Sequence, residues 1–295
     1  MEQFLFIITL LLVGVVLQKT DAPADFSKSL NFFVIYISLP ATVLIQVPKI
    51  ALNVSALSTI MIPWLLLPIM FYLVILMTKN YPLDVRAALL LVIPLGNTSF
   101  VAIPIIKTLL GPDAIGYVLM YDQFGSFLML ALYGSAVISY YEIGKIHKRL
   151  ILKKLFLFPP FFFLLFAMFF GKMPLSLSPY LETLSSTLVP LALVSVGYSL
   201  RFSGEIDYPL LSKALVLKLI VMPLIAFGVL FKLGVDPIAM QVSVLESGMP
   251  SMITAGALAI AAGFAPALSA AMVGYGIILC LITLPLISYA MQTLL

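Results

Sequence analysis

Apolar positions along this chain do not alternate with polar ones. They come in unbroken runs, and each run is long enough for a helix to cross the hydrocarbon of a bilayer, about 17–25 residues. Ten such runs are read, at about 3–18, 30–47, 56–78, 86–110, 114–140, 155–171, 184–201, 209–232, 236–262 and 266–291. The strand-length dyad alternation of a membrane barrel is absent. The pattern predicts an all-α polytopic membrane protein with ten transmembrane helices and short loops. The first run, Phe4–Leu17, follows Glu2 rather than a basic stretch and has no small-residue cleavage site after it, so it is read as a retained span.

Two runs are interrupted by polar residues. The fourth contains "PLGNTSFVAIP" (Pro94–Pro104), and the ninth contains "LESGMPSM" (Leu245–Met252). In lipid an unsatisfied backbone group costs several kcal/mol, about 2–7 by transfer measurements, so a broken span survives only where protein or water serves the freed groups. Gly96 and Pro104 are expected to open the fourth span, and Asn97, Thr98 and Ser99 to cap the outer half-helix, which begins near Asn97 or Pro104. Ser247, Gly248, Met249 and Pro250 repeat the pattern in span 9. Half-helix N-termini meeting at mid-membrane offer free amides and positive dipole ends, which suit an anion.

The breaks fit a duplication. Five spans precede the polar stretch "YYEIGKIHKRLILKK" (Tyr140–Lys154) and five follow it. An odd number of spans per half inverts the second half relative to the first. The second span of each half carries a central proline, Pro40 and Pro190. Pro40 lies 64 residues before Pro104, and Pro190 lies 60 before Pro250. The division expected is a first repeat over 1–142, a basic linker over 143–154 and an inverted second repeat over 155–295.

Composition agrees: 63% of the 295 residues are hydrophobic, 9% are charged, and the mean hydropathy is +1.19. So few charges cannot cover a soluble domain. The net charge of +4 does not point to nucleic acid, because the basic residues sit in loops. Eleven (Lys19, Lys28, Lys79, Arg86, Lys145, Lys148, Arg149, Lys153, Lys154, Arg201, Lys213) fall opposite the termini, and four (Lys49, Lys107, Lys172, Lys232) fall on the terminal side. The positive-inside bias predicts extracytoplasmic termini and a cytoplasmic central loop in the cell membrane.

Intramembrane ionisable residues are costly and point to function. Asp122, Lys218 and Glu246 each lie about 12–16 Å deep at 1.5 Å per residue. Glu246 beside the second break is the coupling candidate, either as a proton carrier or as a sodium ligand with freed carbonyls. The alternative reading is a structural ion pair with Lys218. Asp122 is either a second proton site or a hydrogen-bond anchor for the first break. Lys107 is read as snorkelling outward. Gly256, Gly263, Gly274 and Gly276 are expected to allow close helix packing. The cluster "FPPFFFLLFAMFF" (Phe158–Phe170) is expected to face lipid or an interface.

Catalytic chemistry finds no residues. One histidine, His147 in the basic loop, and one buried cysteine, Cys280, cannot make a zinc site, a hydrolase triad or a disulfide. No phosphate-binding loop is present. The chain is therefore not expected to be an enzyme or to carry a cofactor, beyond a proton or sodium as coupling ion.

At the two breaks, "GNTSFVAIPIIKTLLG" (Gly96–Gly111) and "SGMPSMITAGALAIAAGF" (Ser247–Phe264) resemble the two crossover motifs of the auxin efflux carrier family. The span-2 proline in "FFVIYISLPATVLI" and the terminal "LITLPLISY" fit the same pattern, and the resemblance covers essentially the full chain. The long cytoplasmic loop of many plant members is missing, as suits a prokaryotic transporter. The resemblance implies the fold of bile-acid-sodium-symporter-like proteins, with spans 4 and 9 crossing at their breaks. It implies a scaffold of spans 1, 2, 6 and 7, and a mobile transport domain of spans 3–5 and 8–10. It further implies alternating access of elevator type, small organic anions such as indole-3-acetate or dicarboxylates as substrates, and a homodimer. On the motif match, Asn97 and Thr98 flank the first crossing, Pro104 and Pro250 shape the crossings, and Gly248 and Met249 expose backbone. Ser99 stands where many relatives have glycine, and Glu246 is absent from the plant motif and resembles the sodium-coupled cousins.

Overall fold

The computed structural model describes residues 2–23, 25–49, 53–142, 159–171, 174, 176–200 and 205–294. The basic linker at 143–154, with His147, and the start of the predicted sixth span lie outside the described residues. Within them the protein is helical, and the only β geometry is one isolated antiparallel bridge, Gly96 with Ser251.

Among the described residues, six helices are long and apolar enough to cross a membrane: α2 (Phe26–Lys49), α3 (Val54–Met77), α6 (Pro112–Tyr141), α8 (Ser178–Ser199), α9 (Tyr208–Leu233) and α12 (Pro266–Leu294). Two apolar helices are shorter, α1 (Glu2–Leu17) and α7 (Pro159–Phe170). The two interrupted runs each become a pair of short helices. The first gives α4 (Leu83–Val92) and α5 (Ala102–Leu110), and the second gives α10 (Pro237–Ser247) and α11 (Ile253–Ala261). At 1.5 Å per residue each of these is about 14–17 Å long, so a pair is needed to match one bilayer thickness.

In its helices the structure departs from the sequence expectation at four positions. The second and seventh runs extend further at their N-termini than expected, starting at Phe26 and Ser178. Pro104 does not open the fourth span. It sits in the first turn of α5, where its missing N–H costs nothing, and the chain is already non-helical from Pro94 to Val101. Gly263 is not a packing contact: its φ of +74° turns the chain at the end of α11, and no atom lies within 4 Å of where a Cβ would stand.

Wide turns precede two of the prolines inside the long helices, whereas Pro63, Pro68 and Pro285 stand in continuous α-helix. A proline lacks an N–H and crowds the carbonyl four residues back. π-helical turns at Val34–Ser38 and Leu217–Val221 lie just before Pro40 and Pro223, and both helices continue through. A third π-turn, Asp122–Phe127 in α6, leaves the Phe124 carbonyl to accept the Trp64 indole N–H at 2.8 Å. The same logic ends α4. Pro94 cannot donate to the Leu90 carbonyl, and the Tyr133 hydroxyl donates to it instead, at 2.8 Å.

Packing sorts the helices into two groups. α2 and α8 pack on each other, with α1 against α8 and α7 against α2. The seam between α1 and α8 is closed by glycines: a Cβ on Gly14 would meet Val194 O and Tyr198 N, and one on Gly197 would meet Leu11 O. Hydroxyls line the α2–α8 contact. Ser27 lies 2.8 Å from both Ser195 and Ser199, Ser195 donates to Asn31 Oδ1 at 2.6 Å, and Ser38 pairs with Thr187 at 2.7 Å. The second group comprises α3, α4, α6, α9, α10, α11 and α12; α3, α6, α11 and α12 pack on α4, whose residues Ala87–Val92 are buried on every side, and α5 packs on α6 and α10 as well as on α1 and α8.

Candidate functional site

The two breaks meet. The Asn97 backbone N–H donates to the Pro250 carbonyl at 2.8 Å, and the Met252 N–H donates to the Leu95 carbonyl at 2.9 Å. These two bonds form the Gly96–Ser251 bridge. Each interruption thus satisfies backbone groups the other has freed, which removes the main cost of breaking a helix in lipid. Gly276 of α12 lets that helix press on the junction, since a Cβ there would stand 3.2 Å from Pro250 Cβ.

Beyond this bridge the two breaks differ. The first closes on itself. Asn97 Oδ1 accepts the Val101 N–H at 3.3 Å, the Asn97 carbonyl accepts the Ala102 N–H at 3.3 Å, and the Ser99 carbonyl accepts the Ile103 N–H at 3.1 Å. Asn97 thus serves the start of α5 with its side chain, while Ser99 does so only through its backbone carbonyl, its hydroxyl donating to Asp122; the cap position itself is Val101, with no side-chain cap. The second break leaves α11 open: no side chain caps its start at Met252. The first amides of α11 have no intrahelical acceptor, and the positive end of its dipole is there.

A cavity of about 180 Å³ lies against this junction. Its wall includes Asn97, Ser99, Phe100 and Asp122 from the first half of the chain, Met252, Ile253 and Thr254 from the start of α11, and Asn31, Ile35 and Leu39 from α2. Asp122 is 2% exposed and fully engaged. Its Oδ1 accepts from the hydroxyls of Thr98 at 2.5 Å and Ser99 at 2.8 Å, and its Oδ2 accepts from Gln123 Nε2 at 2.6 Å. Between its two sequence readings, this geometry favours the hydrogen-bond anchor: the carboxylate holds the Thr98–Ser99 turn against α6.

Behind the junction, away from the cavity wall, lie Glu246 and Lys218, at 0% and 1% exposure. Neither carboxylate oxygen of Glu246 has a hydrogen-bond partner. The ion pair with Lys218 is not formed. Lys218 Nζ instead lies 3.4 Å from the Ser247 carbonyl and 3.4 Å from Met222 Sδ, and 3.3 Å from where a Cβ on Gly96 would stand. The ammonium therefore sits at the carbonyl end of α10, where a helix favours a cation. Ser247, Gly248 and Met249 are buried too. Gly248 packs on Pro223 of α9, with 3.2 Å from a Cβ to its Cγ. The residues of the second break that reach the cavity are those after Pro250, not those before it. Pro40 is buried within α2, and Pro190 lines a separate cavity. Among the described residues no group of three His, Cys, Asp or Glu side chains is placed to hold a metal ion.

Comparison with known proteins gives this arrangement a family. The family model for membrane transport proteins matches residues 1–288. The chain belongs to that family. It is the family of the auxin efflux carriers that the two break motifs resemble. Among its relatives, an uncharacterized transporter of Methanocaldococcus jannaschii is 29% identical, with 85% of each chain covered. An uncharacterized transporter of Methanothermobacter thermautotrophicus is also 29% identical, over 70% of this chain and 67% of its own. This membrane transport protein is thus a multi-pass membrane protein whose two helix breaks form one hydrogen-bonded centre.

Sequence reasoning missed Asn31 and Met252–Thr254 as cavity residues. A signal for Asn31 was present: Ser27, Asn31, Ser38 and Thr42 recur at spacings of four, seven and four, one polar face of an apolar helix.

Proposed function

We propose that this protein is a secondary active transporter of small organic anions, auxin-like carboxylates or dicarboxylates, working by alternating access. The observation that carries this reading is the junction itself. Two helix breaks bonded to each other, with an uncapped helix start, Asn97 and Ser99 on one cavity wall, make a compact anion receptor at a point where lipid would not tolerate free backbone. In this reading the carboxylate of the substrate is received by the first amides of α11, by Thr254 and by the Asn97 amide. Asp122 positions the Thr98–Ser99 turn.

In the proposed architecture ten spans form two inverted five-helix repeats, α4–α5 and α10–α11 being the crossing spans. α1, α2, α7 and α8 form the scaffold of an elevator, and the remaining helices form the moving body. The separate packing of the two helix groups supports this division, as do the cavities along the seam between them. Both termini are extracytoplasmic, the basic linker is cytoplasmic, and two copies associate as a homodimer in the cell membrane. Glu246, buried with unpartnered oxygens beside the junction, is the site of the coupling ion, a proton or sodium.

Uptake of a panel of carboxylates, including indole-3-acetate and succinate, into proteoliposomes under imposed proton, sodium and potential gradients tests this. Saturable uptake accelerated by a proton or sodium gradient is the expected result. Uptake that follows membrane potential alone makes the protein a uniporter, and no uptake of any anion removes the reading.

A further inference from the structure

A second and larger cavity, of about 700 Å³, lies further along the same seam. α2 contributes Leu39 to the first cavity and Ile45, Gln46 and Lys49 to the second. The first break contributes Phe100 to the first cavity, and α5 contributes Pro104, Lys107 and Thr108 to the second. From Leu39 to Ile45 is about 9 Å along a helix. The residues intervening in the chain, Val43 on α2 and Val101 and Ala102 at the start of α5, are buried. The two cavities are therefore successive chambers on one seam, separated by these residues and by buried Thr42, which pairs with Ser185.

The second chamber is more polar than the first. Two lysines line it, Lys49 on α2 and Lys107 on α5, both exposed. Lys49 Nζ is bonded to the neutral Gln46 Oε1 at 3.2 Å, and among the described residues neither Lys49 nor Lys107 forms an ion pair. The hydroxyls of Thr108, Ser185 and Ser186 also line it, their protons directed to the Pro104 carbonyl, Thr42 Oγ1 and the Thr183 carbonyl, and one carboxylate, Glu182 on α8, lies across the chamber. Its volume falls in the usual range for small-molecule sites, about 300–1,000 Å³. Lysines that merely snorkel have no reason to converge from separate helices on one concave surface.

We propose that this chamber is a second anion site, a vestibule in which Lys49 and Lys107 receive a small organic carboxylate on its way to or from the junction. It rests on the anion-transport reading above. The shared chemistry, an anionic head between two ammonium groups, also fits a phospholipid phosphate at the membrane edge, so the test separates the two.

The chain's one cysteine, Cys280, is buried. Replacing it by alanine and introducing Thr108→Cys puts a single thiol in the vestibule. In phosphatidylcholine nanodiscs, an anionic methanethiosulfonate should react about tenfold faster than a cationic one, relative to their rates with free thiol. The bias should vanish in Lys49→Gln/Lys107→Gln and survive in Lys49→Arg/Lys107→Arg, which keeps the charge and controls for misfolding. Indole-3-acetate or succinate should slow the labelling at least threefold. A bias unchanged by the glutamine pair overturns the proposal, and so does labelling that neither carboxylate slows. Slowing only when phosphatidylglycerol is added assigns the chamber to a lipid headgroup and overturns the carboxylate. Uptake that persists without bias or protection removes the vestibule alone. Bias and protection without uptake remove the transport reading alone.

Discussion

The backbone N–H of Asn97 donates to the carbonyl of Pro250 across 153 residues of chain, at 2.8 Å. With the Met252–Leu95 bond beside it, this contact ties the two halves of the sequence together at a point where both have stopped being helical. Proline suits the partner position: it ends the preceding helical run at no loss of a donor, and its carbonyl remains free to accept. The junction is thus a rigid feature, and the side chains around it are expected to respond to mutation as a unit.

Thr98 and Asp122 form one such unit. Thr98→Val and Asp122→Ala should each weaken anion affinity, by about tenfold if about 1.4 kcal/mol is lost. The double variant should lose little more than the worse single one, because both changes release the same turn. Binding constants from titrations of the four proteins give the coupling, and strictly additive losses count against a shared anchor.

Tyr133→Phe tests the repair of α4. Removing the hydroxyl takes the donor away from the Leu90 carbonyl in a buried site, at a cost of about 1–3 kcal/mol. The melting temperature should fall, while affinity for the transported anion stays within about twofold. A variant as stable as the parent means that the Leu90 carbonyl is served by something else.

Gly14 and Gly197 should tolerate no side chain, since each faces backbone rather than a flexible side chain. Gly197→Leu is expected to lower thermal stability by more than the about 1–3 kcal/mol of ordinary overpacking. Gly228, with no atom within 4 Å of a Cβ, is the internal comparison: Gly228→Leu should be near neutral. Equal melting temperatures for the two variants contradict the close α1–α8 seam.

Glu246→Gln keeps the shape of the side chain and removes its charge. Gradient-driven accumulation should be lost, whereas counterflow exchange of labelled for unlabelled anion should continue. If accumulation is unchanged, Glu246 does not carry the coupling ion.

The sequence made the breaks legible because glycine, proline and capping residues are rare enough inside apolar runs to stand out. It did not reveal which side of the second break faces the cavity. Ser247–Met249 and Met252–Thr254 are equally polar-flanked, and the choice is made by Gly248 packing on Pro223, a contact between residues 25 positions apart. The π-turns that carry Asp122 and Lys218 were also invisible, since a wide turn leaves no mark in residue type when the run stays apolar. The alternative reading of Glu246, an ion pair with Lys218, is not met, because the Lys218 ammonium lies at the end of α10 instead.

The central claim is that the junction of the two breaks receives the anion. It is tested most directly by substrate uptake in proteoliposomes containing Asn97→Ala, beside the unaltered protein and with equal amounts of folded transporter. Asn97 both lines the cavity and closes the first break, so uptake of every anion the protein carries should fall about tenfold or more. Full uptake by Asn97→Ala would contradict the account.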